Sequence, residues 1–199
     1  MFFFSFNITT LFFRFPIGIR ICATIECGWV MCIRFNINTQ KSIEALIWVV
    51  QRGESNLYNV MKILFAADKY HLNTYGRPVT GDRYLAMEYG TVPDWIYNAT
   101  RVKKPGIGFT RAGNTLGAER GCDLALMSES DVEALEFGYG EYAGKDFNDV
   151  KKKNHAERSW LKAKEDPMGG PAPEIRFEDM IDEEWLIKDL RGMASLMVI

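Results

Sequence analysis

The sequence predicts a mainly α protein of the α+β kind, a compact helical domain with a small β-hairpin element. Three observations carry this. Apolar residues recur at helical spacing from residue 38 onward. Glycine and proline mostly punctuate those runs at their ends. A short run, Tyr84 to Tyr89, alternates its faces between turn residues and reads as a strand. With 199 residues, 47% hydrophobic and 25% charged, the chain is long enough for one globular domain with an appendage.

The elements follow in chain order. Thr39 is a plausible N-cap for a helix over 40–52, whose stripe is Ile43, Leu46, Ile47 and Val50, with Gly53 as its stop. Ser55 or Asn56 caps a second helix from Leu57 to Tyr75, ended by Gly76 in the left-handed C′ position. Pro78 blocks continuation, Gly81-Asp82 turns the chain, and the Tyr84–Tyr89 strand makes a small hairpin. Gly90 breaks that strand, and Pro93 pre-sets a helix over 93–103. Residues 107–127 read as turns and one hairpin. Ser130 and Glu133 form a capping box for a helix reaching Tyr142, with Gly144 closing it. Asp146 caps a helix over 147–154, and another covers 155–164. Residues 166–173, DPMGGPAP, are a linker, and an acidic helix runs from Phe177 to Leu190.

The first thirty residues differ in kind. Seven of the thirteen phenylalanines fall in residues 1–15. The apolar run before Arg14 is too short to span a bilayer, and its charges follow the run where a signal peptide would place them ahead. Residues 1–30 are therefore expected to be an apolar extension, a non-native start ahead of Met31 or a disordered segment. Their β-branched and aromatic content offers one or two added strands as the alternative. A helical domain then covers 31–165, the linker 166–173, and the acidic C-terminal helix 174–199.

Charge and composition exclude several functions. The net charge of −2 and pI near 5.8 argue against nucleic acid as the main ligand, because phosphate contacts need a basic excess. Cys22, Cys27, Cys32 and Cys122 lack CxxC spacing, and only His71 and His155 are present, so neither a metal nor a cofactor is expected. Cysteines of this kind fit a reduced, cytoplasmic protein. No phosphate-binding loop, zinc-protease or hydrolase-elbow motif is found. His71 lies one turn after Asp68 and the two can meet, but no Ser or Cys nucleophile is apparent nearby in sequence. Residues 151–164 carry net +5 and residues 174–189 net −5; these are two solvated faces that screen each other, or an electrostatic docking surface.

The strongest local signal is Tyr89-Gly90-Thr91-Val92-Pro93, a strand-to-helix corner that would present Tyr89, Thr91 and Trp95 on an exposed rim. Together with three neighbouring motifs it resembles the Panacea domain of SocA-like antitoxins. Met61-Lys62-Ile63-Leu64-Phe65 resembles the family's LxKLLYF-like run, His71-Leu72 its end, and Gly76-Arg77-Pro78 its turn. Ala86 to Pro93 resembles the family's Gly-Pro-Val corner, with Thr91 in place of the usual proline. Val150 to His155 with Trp160 resembles its C-terminal segment, with Asn154 in the threonine position. The resemblance covers roughly residues 38–164. It implies a mostly helical fold and an antitoxin that binds a cognate protein toxin directly, in one family case as an adaptor to the ClpXP protease.

The expectation is therefore a non-enzymatic, cytoplasmic partner-binding protein. Its partner-binding residues are Tyr89, Thr91, Pro93, Trp95, His155 and Trp160, since large rigid side chains dominate interface energetics. It has no catalytic residue, no cofactor and no membrane partner. The competing readings are a small enzyme using His71 or His155 as general base, and a nucleic-acid-linked regulator using residues 151–164.

Overall fold

Why does a single long helix organise this chain? Helix α2, Leu57–Tyr75, is buried on nearly all sides, so the rest of the chain wraps it. A computed structural model describes residues 11–14, 19–24, 30–102, 106–166 and 170–196. In it α1 (Thr39–Gln51) precedes α2, and a hairpin of β4 (Tyr84–Met87) and β5 (Gly90–Pro93) follows it. Next come α3 (Asp94–Ala99), a second hairpin β6 (Phe109–Ala112) and β7 (Thr115–Ala118), and α4 (Glu129–Tyr142). Then α5 (Phe147–His155) and α6 (Arg158–Glu165) lead to β8 (Glu174–Ile175), α7 (Phe177–Met180) and α8 (Glu184–Leu196). The fold is mainly helical with small antiparallel sheets, as the sequence predicts.

Two core clusters meet on α2. Val60, Ile63 and Leu64 face α1, α4 and β7, packing with Leu46, Ile47, Leu116 and Leu135. Phe65 and Leu72 face the other way, with Tyr84, Ile175, Phe177, Met180, Leu186 and Leu190. Each such fully buried side chain contributes roughly 1.5–3 kcal/mol of transfer free energy. Helix α4 approaches α2 so closely that a Cβ on Gly138 would lie 2.4 Å from the Ile63 carbonyl oxygen. Only glycine allows that crossing.

Several local details depart from the sequence reading. Asn38, not Thr39, caps α1, because its side chain accepts from the Lys41 amide at 3.1 Å. Asn56 caps α2, and Gly76 ends it in the left-handed region. The capping box of α4 is Ser128 with Asp131, two residues earlier than expected. The Ser130 hydroxyl and the Glu133 carboxylate are engaged elsewhere, by His71 and by two tyrosines. Helix α3 stops at Ala99, short of the expected residue 103. The single acidic helix expected over 177–190 breaks after Met180, where Asn73 substitutes for helix bonds. Its amide donates to the Met180 carbonyl at 2.9 Å and its oxygen accepts from the Asp182 amide at 2.7 Å.

The acidic segment returns to the fold. β8 pairs antiparallel with β4, Tyr84 opposite Ile175, giving a sheet in the order β5-β4-β8. Of the expected apolar extension, residues 1–10, 15–18 and 25–29 lie outside the described residues. Residues Leu11–Arg14 (β1) and Ile19–Thr24 (β2) form strands in an antiparallel meander with β3 (Val30–Phe35), the alternative the composition offered. β3 joins the second core cluster through Ile33, whose amide donates to the Glu178 carboxylate at 2.7 Å.

Candidate functional site

The β4–β5 corner is fixed from below by α2 and from the side by α5. Lys62 sits in the apolar α2 with its side chain buried, and its ammonium donates to the Thr91 carbonyl at 2.6 Å. The same ammonium lies 4.8 Å from the Tyr58 ring centre. Burial pulls the Lys62 pKa down to about 7. From α5 the Asn154 side-chain oxygen accepts from the Thr91 amide at 2.5 Å. Gly90 has φ +101°, and a Cβ there would fall 2.2 Å from that Asn154 oxygen. The corner is therefore held by both backbone groups of one residue, Thr91.

Around this corner several buried polar atoms lack a hydrogen-bond partner among the described residues: Tyr58 Oη, Thr91 Oγ1, Asn154 Nδ2, His155 Nε2 and Ser159 Oγ. His155 stacks on Trp160 with ring centres 4.1 Å apart, and the Trp160 indole N–H donates to the Met87 carbonyl at 3.1 Å. Burial, then the nearby Lys151 charge, lowers the His155 pKa, so the ring is neutral near pH 7. At the hairpin tip Tyr89 is 49% exposed, tilted against the exposed Phe147 and lying 5.1 Å from the Lys151 ammonium.

Of the six residues expected on a partner-binding rim, the structure brings Tyr89, His155 and Trp160 together around this hairpin tip. It corrects two others. Thr91 and Pro93 are buried, because the paired backbone of β5 turns Thr91 toward Lys62 and Asn154 and packs Pro93 opposite Tyr84. They hold the corner and do not face outward. Trp95 sits elsewhere, half-buried in a cleft of about 600 Å³ between α1 and α3, lined also by Ile43, Ala99, Ile107 and Leu126. Sequence reasoning also left Tyr58 out, although a tyrosine and a lysine four apart inside an apolar helix signal a buried polar contact.

Asp68 and His71, which their spacing allows to meet, do not pair. Asp68 accepts from the Thr80 amide at 2.8 Å, the Thr80 hydroxyl at 2.6 Å and the Tyr84 hydroxyl at 2.9 Å. His71 turns instead to α4. Its Nδ1–H donates to the Arg77 carbonyl at 2.6 Å, and its Nε2 accepts from the Ser130 hydroxyl at 3.0 Å. Burial lowers its pKa, which fits that neutral tautomer. Asp131 lies 3.5 Å from the same Nε2 rather than from Nδ1, and is clamped by Lys41 and Arg77. A serine is thus brought to a histidine, as the sequence did not reveal, but the carboxylate is not placed to orient the ring as in a catalytic triad.

The basic segment 151–164 is largely engaged within the molecule. Lys153 pairs with Glu141, and Lys162 with Asp179 at 2.9 Å. Arg158 donates to the Asp179 and Ile181 carbonyls, and Lys164 to the Pro171 carbonyl. No helix among the described residues is long and apolar enough to cross a membrane. Among the described residues no cluster of three or more His, Cys, Asp or Glu side chains is placed to hold a metal ion.

The class this geometry defines is an α+β domain whose helical scaffold uses one buried lysine to brace a hairpin corner beneath an aromatic tip. The motifs that meet at this corner lie within residues 60–161, and over that span the chain matches the family Antitoxin SocA-like, Panacea domain. The chain belongs to that family, and its antitoxin-like character follows from membership. No curated protein and no solved structure matches it.

Proposed function

We propose that this chain is a non-enzymatic, cytoplasmic antitoxin that neutralises a cognate protein toxin by direct binding. The observation that carries this reading is the hairpin tip. Tyr89, Phe147, His155 and Trp160 gather there on a corner whose backbone is already pinned by Lys62 and Asn154. A rigid aromatic surface loses little conformational entropy on association, which is how such side chains come to dominate binding energy. Thr91 and Pro93 serve by holding the tip, and Trp95 offers a second contact in its own cleft. Intramolecular pairing of the basic segment supports protein rather than nucleic acid as partner. Delivery of the bound toxin to a ClpXP-type protease is the further step this family reading suggests.

The test is co-expression with the product of the neighbouring open reading frame. Growth arrest by that product alone, relieved by this chain and not by a Tyr89→Ala/Phe147→Ala variant of unchanged melting temperature, is the expected result. A neighbouring product without toxicity, or full protection by the folded double variant, overturns it.

A further inference from the structure

Helix α4 carries a second surface, unrelated to the hairpin tip. It holds five acidic residues (Glu129, Asp131, Glu133, Glu136 and Glu141) and no basic one. Asp131 is buried and paired; Glu136 pairs with Arg52 and Glu141 with Lys153. Glu133 is different. Each of its oxygens accepts one tyrosine hydroxyl, Oε1 from Tyr70 at 2.7 Å and Oε2 from Tyr75 at 2.5 Å. Those two bonds, Tyr75 first, keep its carboxyl below the usual range, so it is anionic, and no Lys or Arg among the described residues pairs with it. Beside it Tyr70 and Phe137 stack with ring centres 4.5 Å apart, and Tyr75 and Phe137 are each 45% exposed. The stack also borders a groove of about 190 Å³ between α2 and α4, where Lys69 is already engaged by Glu157 and Asp182.

The geometry points to a docking surface for an arginine-bearing segment of a protein partner. A carboxylate has about four acceptor positions, and the tyrosines occupy one on each oxygen. The remaining pair matches the two parallel N–H groups of a guanidinium. The same planar group stacks on an aromatic face, which a lysine ammonium does less well. The two tyrosine hydroxyls fix the carboxylate in place beforehand, so charge, shape and aromatic surface all select the same side chain. This surface rests on the reading of the chain as a protein binder, and it is testable without the partner.

The experiment is fluorescence anisotropy with a labelled octa-arginine peptide on the full chain at low ionic strength. Binding is expected, with an affinity loss of about tenfold in Glu133→Gln, where a charged pair is lost. A loss of about threefold is expected in Phe137→Ala, where one stacking face is removed. Both side chains are exposed, and circular dichroism melts should match wild type. Glu184→Gln, at the exposed start of α8, is expected to bind as wild type does. Equal binding by wild type and Glu133→Gln, or octa-lysine binding as tightly as octa-arginine, overturns the assignment, because net charge alone would then account for it. So does a wild-type dimer that the peptide dissociates, which would make a second copy the occupant. A non-toxic neighbouring product would remove the antitoxin reading and leave this result standing.

Discussion

The two ends of the β4–β5 hairpin are each built on buried charge, yet they are built differently. At the entry, Asp68 accepts three donors from Thr80 and Tyr84. Close by, Asp82 accepts the Trp95 and Ile96 amides at 3.0 and 2.9 Å, capping α3 from outside its own segment. Every oxygen of these two carboxylates has a hydrogen-bond donor. At the corner, Lys62 makes one hydrogen bond, and a set of neighbouring polar atoms makes none among the described residues. A network in which every oxygen is bonded rigidifies, whereas unpartnered buried groups each carry a desolvation cost. The difference teaches that the entry is a fully bonded polar network, while the corner leaves polar atoms unpartnered among the described residues, beside the surface on which the functional reading rests.

Breaking the fully bonded end should have the largest effect. Asp68→Ala orphans the Thr80 amide, the Thr80 hydroxyl and the Tyr84 hydroxyl together and is expected to cost about 4 kcal/mol; urea unfolding measures it. Next comes Gly90→Ala. It imposes φ +101° on a residue with a Cβ and drives that atom into Asn154. A loss of about 3 kcal/mol is expected, with weaker partner binding. Asn154→Ala, which strips the Thr91 amide of its acceptor, should cost about 2 kcal/mol.

The smallest change in stability at neutral pH is expected from Lys62→Met. It deletes the donor to Thr91 but also a buried charge, so it should stay within about 1 kcal/mol of wild type. Its signature is the pH profile. With the folded pKa of Lys62 pulled down to about 7, the native state releases a proton that the unfolded chain keeps up to about 10.5. Stability should therefore rise with pH between those values in wild type, and lose that component in the variant. The entry behaves in the opposite sense. Burial raises Asp68 and Asp82 to about 6, so stability should fall as pH climbs from about 4 to about 6. Melting temperatures across both windows would show two opposed slopes, and a flat profile would erase the contrast.

Much of the framework was legible in the chain. Helical periodicity placed α2, and Gly76 marked its end, because both signals are local. The corner motif placed the hairpin, and the family resemblance followed from the order of its motifs. What was not legible depended on distant partners. Ser128 and Ser130 are equally good cap residues in sequence, and only the arrival of His71 decides between them. The break after Met180 is made by Asn73, 107 residues away. Thr91 is a polar residue beside a glycine and a proline, a pattern that points outward until Lys62 and Asn154 are seen to claim its backbone. Lys62 itself is a helix-forming residue whose burial shows locally only in its spacing from Tyr58.

The pairing of β8 with β4 has a consequence for synthesis. Tyr84 faces Ile175, which leaves the ribosome 91 residues later. At translation speeds of roughly 5 to 20 residues per second, β4 has an open flank for about 5 to 20 seconds. During that interval its unbonded edge invites another nascent strand. A slow stretch of codons between the two segments would lengthen the exposure, so the yield of usable protein should depend on tempo as well as on sequence.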